Sequence, residues 1–183
     1  MSQNSGVRPG GRSARVQAAV HKAAAELLDE RGRSAVTVPM IAARAGVTPS
    51  TIYRRWGDLA ELLGDVALRR MRPDSEPADT GSLRGDLEAW LEQYVDETSS
   101  APGKAAVLDI LGAAETEGGC RCHDILLQRL QQFSARAERR GEPPLDIGGF
   151  IDRVVAPVLY RILFSPDPPD AAYCRALLDA ALR

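Results

Sequence analysis

At 183 residues and 44% hydrophobic content, the chain is long and apolar enough to fold around a core, which argues against intrinsic disorder. It has no apolar run near the roughly 18 residues of a membrane span and no secretion signal, and three cysteines argue against a disulfide framework, so we expect a soluble cytoplasmic protein. The net charge of −2 is unevenly divided, because residues 8–72 carry 12 Lys/Arg and 6 Asp/Glu, whereas the remainder carries 11 and 19.

The first third of the chain predicts a mobile arm, a helix of about five turns and then two short helices. Residues 1–12 are rich in Gly, Ser and Asn with two arginines, which is typical of a flexible basic arm. Ser13 is placed to cap a first helix that ends at Gly32. Two shorter helices follow within residues 37–46 and 48–57, each with a threonine cap and a terminal glycine.

The rest of the chain keeps helical periodicity. Asp58 is placed to cap a fourth helix, and a Pro- and Gly-containing linker follows at residues 71–82. Asp146 and Asp170 are placed to cap the last two helices. Apolar residues recur at helical spacing within 83–94, 107–114, 125–133, 147–164 and 173–182. No segment alternates strictly between apolar and polar residues, so we predict an all-α chain.

The stretch "TVPMIAARAGVTPSTIYRRWGDLAELL", residues 37–63, has the features of a helix-turn-helix. Gly46 makes the tight turn, the alanines before it let two helices approach closely, and Val47 and Ile52 anchor the second helix. The outward face of that helix can reach base edges and phosphates, and it consists of Pro49, Ser50, Thr51, Tyr53, Arg54 and Arg55.

The surroundings of this motif favour DNA binding over an ordinary pair of helices with a solvated polar face. Backbone N–H groups at the helix starts after Thr37 and Thr48 are natural phosphate anchors. Arg8, Arg12 and Arg15 can extend the grip along the duplex, and the basic first third attracts a polyanion. A helical protein-interaction module without DNA binding is the alternative.

The helix-turn-helix, together with "LLDERG" at the end of the first helix, resembles the TetR family of bacterial transcriptional regulators over roughly residues 12–68. The resemblance implies a repressor that binds a palindromic double-stranded DNA operator as a homodimer. It also implies a C-terminal body that commonly holds a pocket for a small-molecule effector. One departure is Leu59, which stands where the family commonly has a lysine.

The family's recognition positions fall on Thr48, Ser50, Thr51, Tyr53 and Arg54 of this chain, with Thr37 and Arg44 beside the DNA backbone. The resemblance places Tyr53 on a phosphate and packs Trp56 beneath the helix. We therefore predict a flexible basic arm over residues 1–12 and a three-helix helix-turn-helix domain over 13–57. A linking helix joins this to a larger C-terminal helical domain over 58–183, which serves regulation and dimerisation.

The last two helices resemble one branch of the TetR family, in which a proline lies inside the penultimate helix. Pro157 is expected to kink that helix because it removes a hydrogen bond. We expect the two helices to pair with those of a second chain through Val158, Ile162, Tyr173, Leu177, Leu178 and Ala181. The alternative is that these residues fill the protomer's own core.

Aromatic and aliphatic residues of the C-terminal domain predict an apolar effector pocket, which would be lined by Leu87, Trp90, Tyr94, Leu111, Leu127, Phe133, Phe150, Val154 and Tyr160. Plain core packing is the alternative for the same residues.

Cys120, Cys122 and His123 raise a thiol- or metal-sensing alternative, because these side chains bind zinc and copper. Such a site would require a loop, since residues two apart do not share a helical face. A helix start with incidental cysteines is the competing interpretation. No catalytic motif is present in the sequence, so we predict a protein that is not an enzyme and that uses no cofactor or metal.

Overall fold

The computed structural model describes residues 10–70, 77–113 and 118–183, and every regular element in these ranges is helical, which confirms the all-α prediction. The chain divides within its fourth helix into two compact units, Met1–Val66 and Ala67–Arg183. None of the helices in the described ranges is long and apolar enough to cross a membrane.

The first unit is built from one long helix and several shorter ones around one apolar core. Its helices are α1 (Gly10–Arg31), α2 (Val38–Ala45), α3 (Pro49–Trp56) and the first part of α4 (Leu59–Arg70), with a 3₁₀ turn at Arg33–Ala35. Leu62 and Leu63 of α4 are fully buried in the same core as α1, α2 and α3. The compact unit therefore runs past the predicted boundary at residue 57, as far as Val66.

Helix α1 begins earlier than the sequence predicts, already at Gly10. Ser13 is therefore an interior helical residue and not a cap. Its hydroxyl accepts a hydrogen bond of 2.7 Å from Nη1 of Arg55. Residues 10–12 of the predicted arm belong to α1, whereas residues 1–9, which include Arg8, lie outside the described part of the chain.

The three predicted aspartate caps are confirmed. An Oδ1 atom accepts from a backbone N–H three residues on in each case: Asp58 at 2.9 Å, Asp146 at 3.0 Å and Asp170 at 2.7 Å. Each bond satisfies one of the N–H groups that the start of a helix leaves without an intrahelical partner.

The second unit contains the remaining helices. They are α5 (Leu83–Ser99), α6 (Ala101–Gly112), α7 (Gly118–Arg139), α8 (Ile147–Phe150), α9 (Ala156–Phe164) and α10 (Ala171–Ala181). Its core lies between α5, α7, α9 and α10, and its largest fully buried side chains include Phe133 and Phe150.

The irregularity predicted at Pro157 takes the form of a π turn. Residues Ile151–Val155, between α8 and α9, are π-helical, and the Ala156 N–H donates to the Ile151 carbonyl. Proline has no N–H, and its ring clashes with the carbonyl four residues earlier in a regular α-helix. The wider π turn just before Pro157 accommodates both the missing hydrogen bond and the bulk of the proline ring.

The predicted dimer residues pack largely into the protomer itself. Val158, Ile162 and Leu178 are buried in the core of the second unit, so they are not available to a second chain. Tyr173, Leu177 and Ala181 are half-buried against the same core, and the Arg161 guanidinium lies 3.9 Å from the centre of the Tyr173 ring. Helical periodicity identified an apolar face correctly but could not tell which neighbour covers it.

A buried carboxylate ties the segment before α5 to α7. Asp86 accepts hydrogen bonds from the Thr80 N–H at 2.7 Å and the Thr80 hydroxyl at 2.8 Å, and it pairs with Arg136 and Arg140. Burial by itself would raise the pKa of Asp86. The hydrogen bonds from Thr80 and Arg140 outweigh it, so the pKa lies below its ordinary value. Arg136 also donates to the Ala78 carbonyl, which fixes this segment in place.

Candidate functional site

Helix α3 separates apolar from polar side chains cleanly. Ile52 and Trp56, four residues apart, are buried, because side chains at that spacing share one helical face. Ser50 and Arg54 are exposed on the other side, and Tyr53 keeps 49% of its surface in solvent. The helix therefore presents a polar, cationic face while its apolar face holds it to the core.

The turn between α2 and α3 depends on a left-handed glycine. Gly46 has φ 68° and ψ 33°, a conformation that costs other residues steric strain. The Val47 N–H donates to the Ala42 carbonyl at 3.0 Å and the Gly46 N–H to the Ala43 carbonyl at 3.3 Å. This pair of bonds is a Schellman motif, which ends α2 and directs the chain into α3.

Three hydroxyl groups cluster at the start of α3. Thr48 Oγ1 lies 2.9 Å from Ser50 Oγ and 3.0 Å from Thr51 Oγ1. Thr48 and Thr37 both occupy N-cap positions, as predicted, but neither side chain accepts a capping hydrogen bond. The first turns of α2 and α3 are therefore open to an external anion, such as a phosphate oxygen.

Two of the predicted DNA-contacting arginines are held against α1. Arg44 makes a bidentate pair with Glu30, with both N–O distances at 2.8 Å, and its hydrogen bonds and charge lower the pKa of Glu30. Arg55 donates to Ser13 and, at 2.6 Å, to Gln17 Oε1. Both side chains are exposed, but their guanidinium groups already bridge helices.

The other residues that were predicted to contact DNA differ in how exposed they are. Thr37, Pro49 and Arg54 are exposed, and Thr51 is half-buried. Arg15 is exposed on α1 and donates from Nε to the Gly11 carbonyl at 3.0 Å. The side chain of Arg12 lies outside what the structure describes.

A buried polar network beneath α3 was not predicted from the sequence. Trp56 Nε1 donates to Asp65 Oδ2 at 2.9 Å, and His21 Nε2 lies 2.9 Å from the same oxygen. The network joins α3 to α4 and α1. The sequence did contain one signal for this network, because His21 and Asp65 each interrupt an otherwise apolar helical face.

The second unit contains a cavity of about 670 Å³. Trp90 and Tyr94, which were predicted to line a pocket, do line it, and their rings stack at 5.3 Å. The aromatic ring of Trp90 also contacts Phe133 and Phe150, which lie behind it in the core. Burial, offset only in part by a hydrogen bond with Thr98, raises the pKa of Tyr94 to about 12.

The other predicted pocket residues lie elsewhere. Four of them belong to the buried core, in agreement with the alternative that these residues pack as plain core: Leu87, Phe133, Phe150 and Val154. Leu111 and Tyr160 are exposed, and Leu127 is half-buried away from the cavity wall. Periodicity alone could not separate core residues from cavity residues, because both occupy inward-facing positions.

The segment with two cysteines is helical, not the loop that a metal or thiol site would require. Helix α7 begins at Gly118, so Cys122 and the exposed His123 lie on it as neighbours with different directions. The side chain of Cys120 is outside the described part of the chain. Cys122 is half-buried in the cavity wall, and burial raises the pKa of its thiol. Among the described residues no group of three metal-ligating side chains comes together.

Two family models match most of the chain. The model described as "Bacterial regulatory proteins, tetR family" matches residues 21–66, and "Tetracyclin repressor-like, C-terminal domain" matches residues 77–181. The first of these covers the helix-turn-helix and the second covers the unit that contains the cavity.

Relatives and solved structures agree with these matches. The "uncharacterized HTH-type transcriptional regulator YdeS" of Bacillus subtilis is 30% identical over 90% of this chain and 87% of its own length. The "DNA-binding transcriptional repressor TetR" of Mycobacteroides abscessus is 29% identical over 90% of each chain. The crystal structure of the TetR family transcription regulator SCO0332 is 26% identical and covers 92% of this chain and 97% of its own, with a TM-score of 0.73. The chain belongs to the TetR family of bacterial transcriptional regulators.

Proposed function

We propose that this regulator is a repressor, which binds a palindromic DNA operator as a homodimer and inserts α3 of each subunit into the major groove. The observation that carries the proposal is the exposed face of α3, where Ser50, Tyr53 and Arg54 stand opposite the buried Ile52 and Trp56. The name of the M. abscessus relative, a DNA-binding repressor, supports repression over activation. A bacterial operator lies in the cytoplasm, so the proposal places the protein there.

Individual residues receive separate roles in this proposal. Arg54 reads a base edge or grips a phosphate, and Tyr53 binds a phosphate through its hydroxyl. The open helix starts after Thr37 and Thr48 bind phosphate oxygens through backbone N–H groups. Arg55 acts mainly by fixing α3 to α1, because Ser13 and Gln17 already occupy its guanidinium.

Exposed aromatic residues support dimerisation through the last helices, on a face different from the predicted one. Tyr160 and Phe164 of α9 are 64% and 70% exposed, and their rings lie 5.3 Å apart. On α10, the exposed alanines 172, 176 and 180 form a row with helical spacing. Large exposed apolar groups and a row of small side chains each suit a closely packed, two-fold helical interface.

The cavity in the second unit supports control by a small molecule. A bound effector changes DNA affinity only if it binds one arrangement of the two DNA-binding units better than another. In the proposed mechanism, the effector stabilises a separation of the α3 helices that does not match successive major grooves, and repression ends.

The experiment begins by selecting bound sequences from random duplexes with the full-length chain. Operator affinity is then measured at several salt concentrations, and it should fall steeply with salt because phosphate contacts release counterions. Arg54→Ala should reduce affinity for the selected site by about tenfold or more. The control is Arg139→Ala, which removes an exposed arginine from α7 of the other unit.

Two outcomes would count against the proposal. Duplex binding that is absent, or that does not depend on salt, would instead support a protein-interaction module. If Arg54→Ala and Arg139→Ala bind the operator equally well, Arg54 does not contact the operator.

A further inference from the structure

The wall of the cavity in the second unit is aromatic on one side and charged on another. Trp90 and Tyr94 stack on each other, and Phe133 and Phe150 support Trp90 from behind. These contacts hold the Trp90 ring in place on the aromatic side of the cavity. A volume of about 670 Å³ is within the range of pockets that hold small organic ligands.

Arg129 of α7 is the charged residue held most firmly in the cavity wall, because its side chain is half-buried whereas the other charged lining residues, Arg70 and Glu97, are exposed. Burial, followed by the nearby charge of Arg136, lowers the pKa of Arg129. The surroundings therefore disfavour the guanidinium cation, and a bound anion would offset both effects. Arginine has five N–H donors in a planar fork, which suits a carboxylate.

The acidic residue among the described lining residues of the cavity lies at the surface. Glu97 is exposed, and its Oε1 accepts a hydrogen bond of 2.7 Å from Gln93 Nε2. The cavity lining contains two arginines and one glutamate among the described residues, so its local charge favours an anion. The position of Glu97 in solvent weakens its effect on a charge bound deeper inside.

We propose that the cavity binds a small aromatic carboxylic acid, whose ring lies against Trp90 and Tyr94 and whose carboxylate pairs with Arg129. Arg70 adds positive charge where the cavity meets solvent. The role of this acid as the effector rests on the proposed regulatory function. Its binding to the cavity does not depend on that function. The sequence predicted a small apolar effector, and the half-buried Arg129 is the reason for proposing an anionic one instead.

The test uses three probes with the same naphthalene ring and different charge. Isothermal titration calorimetry of the full-length chain at pH 7 compares 1-naphthoate, 1-naphthalenemethanol and 1-naphthylmethylammonium. Naphthoate should bind about tenfold or more tightly than the alcohol, because a charge-assisted hydrogen bond is added to the same ring contact. The ammonium compound should bind more weakly than the alcohol.

Variants then assign the preference to one side chain. Arg129→Gln should remove the advantage of naphthoate and leave the affinity for the alcohol within about twofold. Arg129→Lys should keep part of the advantage, because it keeps the charge without the planar fork. Arg139→Gln, which changes an exposed arginine of the same helix, should leave the affinities for all three probes unchanged.

The comparison among probes on the unmodified chain is decisive even if Arg129→Gln does not fold. Equal affinity for naphthoate and the alcohol, preference for the ammonium compound, or no binding of any probe at millimolar concentration would overturn the proposal. An unchanged preference in folded Arg129→Gln would overturn the role of Arg129. Operator binding is measured separately, so a chain that binds naphthoate but no operator refutes only the regulatory function.

Discussion

Asp65 joins three helices of the first unit through a single carboxylate oxygen. That oxygen accepts from the Trp56 indole N–H and lies within hydrogen-bond distance of His21. A buried carboxylate without donors would destabilise the fold, whereas this one fixes the end of α3 relative to α1 and α4. The exposed face of α3 therefore owes its direction partly to a contact on its buried side.

Trp56→Phe tests this contact. Phenylalanine keeps an aromatic ring in place but removes the N–H that donates to Asp65, so the free energy of unfolding should fall by about 1–3 kcal/mol. Urea denaturation monitored by circular dichroism measures the change. Tyr53→Phe on the exposed face is the control and should stay within about 0.5 kcal/mol of the unmodified chain. Equal effects of the two substitutions would show that the indole contact does not stabilise the first unit.

Asp86→Asn tests the buried ion pairs of the second unit. The pKa of Asp86 is lowered from its ordinary value of 3.8 in the folded chain. Its carboxylate therefore stabilises the fold fully above about pH 4 and loses this effect as the pH falls through the folded-state pKa. We expect the substitution to lower the free energy of unfolding at pH 7 by about 2–4 kcal/mol, because Arg136 and Arg140 lose their buried partner.

The pH dependence provides a second readout for Asp86→Asn. Stability is measured by urea denaturation between pH 2 and pH 7. The difference between the two chains should be constant from pH 5 to pH 7. It should shrink below about pH 4, because Asp86 takes up a proton in the unfolded chain at a higher pH than in the folded chain. A difference that does not change with pH would show that shape, and not charge, accounts for the effect.

At the scale of elements, α2 and α3 depend on their neighbours. Each has eight residues, fewer than an isolated helix needs for stability in water. Ile41 of α2 and Ile52 of α3 are fully buried in the core shared with α1. The left-handed turn at Gly46 sets the direction of α3 after α2, so local backbone geometry and core packing together orient the polar face.

Gly46→Ala should strain this turn. A side chain at φ 68° costs about 1–2 kcal/mol even though a Cβ atom would meet no neighbour within 4 Å. Thermal and urea unfolding should show this loss, and operator affinity should fall as well. Gly112→Ala is the matched control and should raise the stability instead of lowering it. Gly112 lies in the last turn of α6 with open space around it, so an alanine there gains helical propensity without strain. Equal changes in the two variants would contradict the role of the left-handed turn.

At the scale of the whole molecule, the proposed dimer depends on the exposed pair Tyr160 and Phe164. Replacing both with glutamate should convert the dimer to a folded monomer, because four buried like charges would face each other across a two-fold interface. Light scattering after size-exclusion chromatography measures the mass, and circular dichroism checks the fold. Operator affinity should also fall, since a monomer contacts one half-site.

Exposed leucines on another helix are the control for this experiment. Leu108→Glu and Leu111→Glu together change two exposed apolar residues of α6 and should leave the mass of a dimer unchanged. A dimer that survives the change at Tyr160 and Phe164, or that dissociates only with the α6 pair, would place the interface elsewhere.

The sequence by itself determined the helical elements, because helix formation follows from local periodicity and from caps within a few residues. Asp58, Asp146 and Asp170 each bond to an N–H three residues away, and the inward direction of Ile52 and Trp56 follows from a spacing of four. The start of α1 was an exception, since a serine that can cap is also tolerated inside a helix. Thr37 and Thr48 were further exceptions, because they occupy N-cap positions without accepting a capping hydrogen bond.

Only the tertiary structure decided which partner each side chain meets. Arg55 binds Ser13 and Gln17, and Val158 and Leu178 enter the protomer's own core, because residues distant along the chain become neighbours there. The same holds for the cavity, where Arg129 joins Trp90 and Tyr94 across two helices. A helical pattern encodes the face on which a residue lies, whereas the occupant of the space opposite that face depends on how the helices pack.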